Sequence, residues 1–314
     1  MFALRALLTH LVDYAGLFPP AGLAMGPAVR KYAAYRAGDA AWMLARFVVP
    51  VARLEEFEAA AGALLPFNAE PPDAPEPWRL SALVGADAAA DLRAAVAFNA
   101  RHAEGTEPLR EEIDALEAKA ASPGDVARLA DAARDAALAD AALFVELPWG
   151  ADASAYARAA AAADARLKLR TGGVTPDAFP PAAAVLDFLA ACAAHGVAAK
   201  CTAGLHHPLR GEHALTYEDG CARGTMYGFV GVFLAAAPLH AGHVPAAVAP
   251  LLEERDPGAF AFDAAGAAWR GLRVDAGTLA DARVHRLAAF GSCSFEEPLH
   301  DLQALGWWPG ATPP

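Results

Sequence analysis

Short apolar runs alternate with longer segments of helical period from about residue 41 onward. Short runs rich in β-branched and aromatic residues predict strands, and segments whose apolar positions recur every three or four residues predict helices. Regular alternation of the two is typical of βαβ units built on a parallel sheet. The predicted strands are residues 43–51, 79–84, 113–119, 142–148, 166–171, 197–202, 259–263 and 287–292.

Eight strands in a chain of 314 residues predict a closed (β/α)8 barrel of TIM type. The alternative, an open doubly wound sheet, would need a phosphate-binding glycine turn after its first strand, and residues 50–54 contain no glycine. Residues 1–40 precede the first predicted strand. We interpret them as an N-terminal helical extension packed on the barrel, which then forms a single domain from residues 41–314.

Charged side chains occupy alternate positions in several predicted strands. Residues 167–170 read Leu-Lys-Leu-Arg, so Lys168 and Arg170 share one face of their strand. Parallel strands are covered on both sides, and we therefore expect these charges inside the barrel near the C-terminal strand ends, where such barrels carry active sites. The same alternation predicts an interior position for Arg46, Glu117, Lys119, Glu146, Lys200 and Thr202.

Cations outnumber carboxylates in this predicted interior, although the whole chain carries a formal net charge of -12. A local positive excess in an acidic protein predicts a small anionic substrate, either a carboxylate or a phosphate. The net negative charge of the whole chain argues against nucleic acid or an anionic membrane as a partner. Homo-oligomerisation stays open.

The loops after the predicted strands supply further candidates for substrate binding. Glycines let a ligand approach the backbone closely, although turn geometry alone would also explain them. Small hydroxyl residues after the last barrel strand often bind anions. Residues 13–20 would either cover the mouth of the site or pack beneath it. The loop candidates are Thr171, Gly172, Gly173, His206, His207, Ser292 and Ser294.

Residues 200–204 read Lys-Cys-Thr-Ala-Gly and resemble the Lys-x-Thr-x-Gly pattern of deoxyribose-phosphate aldolases, which are class I aldolases with a TIM barrel. The resemblance covers a handful of residues and implies that Lys200 forms a Schiff base, as the lysine of the sixth strand does in that family. The second lysine of that family, on the seventh strand, has no counterpart in the predicted strands. Its acid–base partners are matched loosely by Glu146 and Lys168.

The chemistry of a Schiff base supports a leading hypothesis of an aldolase-type lyase. The attacking lysine must be neutral, while a free lysine has a pKa of about 10.4. The neighbouring cations Lys168 and Arg170 would lower the pKa of Lys200 and hold the anionic group of the substrate. Glu146 would carry the proton to and from carbon.

Two other hypotheses remain open. A metal-assisted isomerase or hydrolase would place a divalent cation between Glu117, Glu146 and His206. A non-catalytic barrel would keep the same charges as a buried ion-pair network. The lyase hypothesis implies no cofactor, and the sequence has no Walker or Rossmann glycine pattern. Without a signal peptide or a membrane-length apolar run, we expect a cytoplasmic protein without membrane contact.

Overall fold

The computed structural model describes residues 2–62, 64, 77–104 and 111–308, and its centre is a closed barrel of eight parallel strands. The barrel closes where the first strand pairs with the last, because Val12 lies opposite both Phe290 and Leu44. The fold is therefore the predicted TIM-type barrel. We label its strands β1 (Val12–Tyr14), β2 (Leu44–Pro50), β3 (Trp78–Leu83), β4 (Glu111–Lys119), β5 (Ala142–Glu146), β6 (Arg166–Arg170), β7 (Ala199–Thr202) and β8 (Leu287–Ser292).

The first barrel strand comes from the segment that we had interpreted as an extension outside the barrel. β1 has only three residues, and Asp13 breaks its apolar pattern, so no strand-like run marks it in the sequence. Residues 259–263 were predicted as a barrel strand. They instead hold Phe260–Phe262, which belongs to a separate antiparallel sheet with Gly266–Trp269 and Leu272–Asp275. The lysine at 168 is consequently on the sixth barrel strand and the lysine at 200 on the seventh.

Helices surround the barrel and begin and end at recognisable capping residues. The helix at Pro123–Asp135 begins with a capping box formed by Ser122 and Asp125, and the helix at Ala182–His195 ends at Gly196 in the left-handed conformation. The helices are α1 (Phe2–Leu8), α2 (Met25–Arg36), α3 (Leu54–Gly62), α4 (Ala88–Glu104), α5 (Pro123–Asp135), α6 (Ala153–Ala163), α7 (Ala182–His195), α8 (Phe229–His240), α9 (Pro245–Val248), α10 (Ala276–His285) and α11 (Glu296–Ala304).

One described segment, Pro176–His195, is long and apolar enough to cross a membrane by composition alone. It contains α7, and its side chains Val185, Phe188 and Leu189 are buried in the core around the barrel. Core helices of globular proteins share this composition, so the segment is weak evidence for a membrane span.

Two register irregularities decide which side chains face the barrel lumen. Between β3 and β4, Leu80 pairs with Ile113 but Ser81 pairs with Ala115, so Asp114 is an extra residue in its strand. A bulge of this kind reverses the inward and outward alternation beyond it. Both Asp114 and Glu117 can therefore face the lumen, although strict alternation would separate them.

The second irregularity lies in β8, between Leu287 and Phe290. It turns Phe290 outward, where its ring stacks on Phe229 of α8 with 5.3 Å between the ring centroids. Gly291 and Cys293 then reach the interior at the C-terminal end. Ser292 and Ser294, which we predicted as substrate-binding residues, are not among the residues that line the interior at this end.

Candidate active site

A cavity of about 850 Å³ opens at the C-terminal ends of the barrel strands, and we call it the upper cavity. The loop after β1 contributes Phe18, Pro19 and Pro20 to its wall. A hairpin of Gly211–Ala214 and Arg223–Met226 lies between β7 and α8, and its vicinity contributes Leu215 and Met226. These apolar walls leave the charged floor as the chemically active part of the cavity.

Glu117 lies at the centre of the floor and accepts bonds from two lysines. Its Oε2 is 2.6 Å from Nζ of Lys168, and its Oε1 contacts Nζ of Lys200. The hydroxyl of Ser81 donates to the same Oε1 at 2.6 Å. All of these side chains are buried, so Glu117 holds its charge through direct contacts rather than through water.

The lysines stand beside each other because their strands pair in register. Glu146 of β5 lies opposite Lys168 of β6, and Lys168 lies opposite Lys200 of β7. Nζ of Lys168 is 2.7 Å from Oε2 of Glu146. Arg170, two residues further along β6, approaches Oε1 of Glu146 at 3.6 Å with its side chain 43% exposed. Lys168 is therefore clamped between two carboxylates at the cavity floor.

Lys200 lies deeper and is not part of the cavity lining. Its Nζ is 2.5 Å from Oδ2 of Asp13, contacts Glu117, and lies 5.1 Å from the centroid of the Phe144 ring. Only 1% of the residue is exposed. Asp13 is held in turn by the backbone N–H of Arg46, which donates to its Oδ1 at 3.0 Å. We call these groups the central network: Asp13, Ser81, Glu117, Glu146, Lys168 and Lys200.

The network favours charged groups despite its burial. Desolvation would raise the pKa of Glu117, but the charges and bonds of Lys168 and Lys200 hold that pKa far below its ordinary value. Desolvation would likewise lower the pKa of Lys168, and the carboxylates of Glu117 and Glu146 raise it instead. Lys168 is consequently protonated in the resting site.

The rim of the upper cavity carries the remaining positive charge. Lys119 at the end of β4 lines the cavity and is exposed. Within the described part of the chain, Lys119 has no carboxylate in ion-pair contact, and Arg170 has only the 3.6 Å contact with Glu146. The rim therefore carries two cations that are outside the strong internal ion pairs.

A histidine–carboxylate pair stands on the cavity wall. Nδ1 of His206 is 2.7 Å from Oε2 of Glu297, which also accepts a bond from the hydroxyl of Tyr217 at 3.0 Å. Burial would raise the pKa of Glu297, but the bond and charge of His206 and the bond from Tyr217 lower it. Glu297 therefore holds the ring of His206 through Nδ1 on the wall of the cavity.

The predicted site residues fall into three groups. Glu117, Lys119, Glu146, Lys168, Arg170, Gly173, Thr202 and His206 line the upper cavity. Lys200, Thr171, Gly172, His207, Ser292 and Ser294 lie outside its lining, most of them in its supporting structure. Arg46 lies at the opposite end of the barrel, bound to Asp114. It was predicted inside correctly, but at the wrong height, because it stands early in β2.

The supporting residues tie strand ends and loops together. The hydroxyl of Thr171 donates to the carbonyl of Ala203 at 2.7 Å. A Cβ on Gly172 would lie 2.9 Å from Cα of Gly204, so the missing side chain allows β6 and β7 to end in contact. His207 bonds Asp301 at 2.6 Å, and Ser292 donates to the carbonyl of Ser294 at 2.7 Å.

Sequence reasoning missed Asp13 and Glu297 as site residues. Asp13 carried one usable signal, since an acidic residue inside the apolar stretch Leu11–Tyr14 is costly unless it meets a cation. Glu297 lies in the first turn of α11, where an acidic residue is ordinary because it stabilises the start of a helix. Nothing in the sequence pairs it with His206, because their contact spans 91 residues.

The described residues contain no group of three or more His, Cys, Asp or Glu side chains arranged to hold a metal ion. The metal-assisted hypothesis required Glu117, Glu146 and His206 to share a cation. The structure gives each of them another partner, because both glutamates bind Lys168 and His206 binds Glu297. The arrangement therefore favours ion-pair and acid–base chemistry by side chains.

Together, fold and site define a TIM-type barrel with an open cavity above a buried lysine–carboxylate network. No protein-family model and no curated protein matches the chain. A solved structure with a similar fold is the lysine/ornithine decarboxylase of Vibrio vulnificus in complex with cadaverine, at 14% sequence identity and a TM-score of 0.40. The similarity covers 92% of this chain and 58% of that one. We take neither reaction nor substrate from so distant a likeness.

Proposed function

We propose that this chain is an aldolase-type lyase acting on a small carbonyl compound that carries a carboxylate or phosphate, with Lys168 as the Schiff-base amine. One observation carries the proposal. Lys168 is the lysine whose ammonium group lies at the floor of the open cavity, held between Glu117 and Glu146 at 2.6 and 2.7 Å. Lys200, the lysine that the sequence motif favoured, lies behind it.

The strand count supports this exchange of roles. The resemblance to deoxyribose-phosphate aldolases implies a Schiff-base lysine on the sixth strand and a second lysine on the seventh. Counting β1 as a barrel strand, Lys168 is on the sixth and Lys200 on the seventh. The Lys-x-Thr-x-Gly pattern then falls one strand late, so the positions of the two lysines carry more weight than the motif.

The first step moves a proton inside the ion pair. The ammonium group of Lys168 transfers a proton to Glu146, which leaves the net charge of the site unchanged. The neutral amine attacks the carbonyl carbon, Glu146 returns the proton to the carbonyl oxygen, and water leaves. The product is a protonated imine on Lys168, with the charge that the ammonium group carried before.

Cleavage follows from the positive charge of the imine. Glu146, again a carboxylate, takes the proton of the β-hydroxyl group of the bound substrate, and the carbon–carbon bond breaks toward the imine. An aldehyde leaves, and an enamine remains on Lys168. His206 lines the same cavity, and the proton that Glu146 has taken passes by way of His206 to the enamine carbon. Water then hydrolyses the resulting imine, which releases the second product and restores the ammonium group of Lys168.

The anionic group of the substrate would bind at the rim. Lys119 and the half-exposed Arg170 provide cations there, while the apolar wall of Phe18 and Leu215 excludes water from the reacting carbon. This division matches a substrate with one charged end and one carbonyl end.

Reductive trapping tests the proposal directly. The protein is incubated with pyruvate or with glyceraldehyde 3-phosphate, reduced with borohydride, and digested for peptide mapping. We expect a mass adduct on Lys168 that is lost in Lys168→Met and kept in Lys31→Met, a control lysine in an exposed ion pair with Glu296. An adduct on Lys200 alone would return the nucleophile to that residue. Absence of any adduct with these and related 2-oxo acids and sugar phosphates would contradict the Schiff base.

A second candidate rests on the raised pKa of Lys168. If the ammonium group keeps its proton throughout, it would stabilise an enolate while His206 moves the proton, and the site would isomerise its substrate without a covalent intermediate. Solvent deuterium exchange into a carbonyl substrate without borohydride adducts would select this candidate. A buried network without ligand binding would instead support the non-catalytic alternative.

A further inference from the structure

A second cavity, of about 690 Å³, lies at the opposite end of the barrel, where the strands begin, and we call it the lower cavity. Strand side chains Arg46, Arg79 and Arg166 line it from β2, β3 and β6. Arg283 of α10 closes it from the side. Four guanidinium groups thus border one space that the proposed reaction does not use.

Three acidic residues line this space beside the four arginines, and the carboxylate of Asp114 is already bound. Asp114, the bulge residue of β4, accepts two bonds from Arg46, at 2.5 and 2.8 Å, and also contacts Arg79. The other acidic residues of the lining, Glu112 and Asp140, are exposed at its edge. Asp114 cannot neutralise the cavity, because two arginines already share its single charge.

Arg166 and Arg283 have no carboxylate in ion-pair contact among the described residues. The guanidinium carbon of Arg166 lies 5.4 Å from the centroid of the Phe144 ring. Arg283 is buried and donates to the backbone carbonyls of Leu7 at 2.7 Å and Thr9 at 3.1 Å. Neutral partners satisfy the hydrogen bonds of Arg283, and the carboxylates that act on the two arginines, Asp114 and Asp164 on Arg166 and Asp13 on Arg283, do so without a direct ion pair.

The electrostatics of the two arginines agree with this arrangement. Burial lowers the pKa of Arg283 to about 9. Burial, and next the charge of Arg46, also lowers the pKa of Arg166. An anion in the cavity would reverse both effects, because a negative charge restores the preference for the protonated guanidinium.

We propose that the lower cavity is a binding site for a small phosphate-bearing anion, separate from the upper cavity. Arginine suits phosphate because its planar fork presents parallel N–H groups to two oxygens. The ring of Phe144 is near both ends of the lumen, since its centroid is 5.1 Å from Nζ of Lys200 and 5.4 Å from the guanidinium carbon of Arg166. The inference does not depend on the proposed lyase, since none of these arginines contacts the upper cavity.

Calorimetric titration with pyrophosphate and inorganic phosphate, at constant ionic strength, tests this site. We expect Arg166→Gln to weaken pyrophosphate binding by about tenfold or more, the effect of removing one charged hydrogen-bond donor. Arg166→Lys should retain part of the affinity because it keeps the charge. Arg128→Gln, an exposed arginine on α5, is the matched control and should bind as the unmodified protein does.

The upper cavity needs its own control, since it also attracts anions. In the double variant Lys119→Gln/Arg170→Gln we expect pyrophosphate to bind the lower cavity with unchanged affinity. Crystals grown with tungstate should then show its anomalous signal beside Arg166. Loss of binding in the double variant with full binding in Arg166→Gln would assign the anion to the upper cavity and overturn the proposal, and so would equal binding in all variants.

Discussion

The two ends of the barrel lumen are lined by charged side chains of the same strands. The cations at the two ends differ in how many carboxylates contact them. β6 alone contributes Arg166 to the lower cavity, Lys168 to the floor of the upper cavity and Arg170 to its rim. Around Lys168 the neighbouring strands supply Glu117 and Glu146. Near Arg166 the carboxylate of Asp114 is already bound by Arg46 and Arg79. The neighbours of an interior cation therefore decide whether it is held in an ion-pair network or is available to bind a ligand.

This difference separates stability from binding. In the central network every lysine contacts two carboxylates, so removing one member leaves the others buried and underpaired. In the lower cavity the charge of Arg46 repels Arg166, and removing Arg166 relieves this repulsion. We therefore expect substitutions at the upper floor to cost activity and stability, and substitution of Arg166 to cost mainly anion binding.

The largest expected effect is on activity at Lys168. Lys168→Met should lower kcat for the cleaved substrate by at least about a thousandfold, because the covalent intermediate can no longer form. Steady-state and single-turnover kinetics measure this loss. Lys200→Met would also disturb the network but should leave some borohydride adduct on Lys168. A Lys168→Met protein with near-normal kcat would remove this residue from the chemistry.

A large effect on stability is expected at Glu117. Glu117→Gln should lower the free energy of unfolding by roughly 3 kcal/mol, since it weakens contacts to both Lys168 and Lys200. Urea denaturation at neutral pH measures this change. Glu56→Gln, which breaks an exposed pair with Arg53, is the control and should cost far less, because water screens an exposed pair. An equal loss in both variants would contradict the central role of Glu117.

The same carboxylate predicts a pH dependence. The pKa of Glu117 is lower in the folded chain than in the unfolded one, so its stabilising contribution is complete above the unfolded pKa near 4.5. It is lost as the pH falls further toward the depressed folded pKa. Tm of the unmodified protein should therefore fall below about pH 4.5 more steeply than Tm of Glu117→Gln. Parallel curves for the two proteins would contradict this linkage.

A smaller effect on activity is expected at His206. His206→Gln should lower kcat by roughly a hundredfold, within the range for removing a general acid–base group. The adjacent His207 is the matched control, since it has a similar bond to Asp301 but lies outside the cavity lining. His207→Gln should lower kcat by less than about threefold, because His207 does not line the cavity. Equal losses at the two positions would indicate a structural role for both.

The fold was predictable because seven barrel strands are marked by apolar runs, and alternation within β6 correctly placed Lys168 on the interior. The prediction of which side chains face inward failed where the strands are irregular. The bulge at Asp114 and the shift before Phe290 reverse alternation, and neither has a local signal in the sequence. The position of each side chain along the barrel axis could not be predicted either, because it depends on where each strand enters the barrel. Arg46 therefore seemed to join Lys168, although it lies at the lower end.

The partners of the lysines were harder still to predict. Lys200 meets Asp13 across 187 residues, and a three-residue strand brings them together. Without Asp13 the interior seemed to have a strong excess of cations. The structure instead places most of that excess in the lower cavity and at the upper rim. The sequence pattern identified the charged side chains of the interior, but it could not assign each of them to the upper or the lower end of the barrel.

The smallest expected effect is on stability at Arg166, and it allows a direct comparison of the two ends of the barrel. Arg166→Met should change the free energy of unfolding by less than about 1 kcal/mol, because lost contact with the Phe144 ring and relieved repulsion from Arg46 have opposite signs. Lys168→Met, on the same face of β6, should cost several times more in urea denaturation, since it leaves Glu117 and Glu146 buried without their shared cation. With pyrophosphate present, the unmodified protein should gain stability that Arg166→Met does not gain. If the two methionine variants were equally unstable without ligand, the arginines of the lower cavity would be structural members of a network after all.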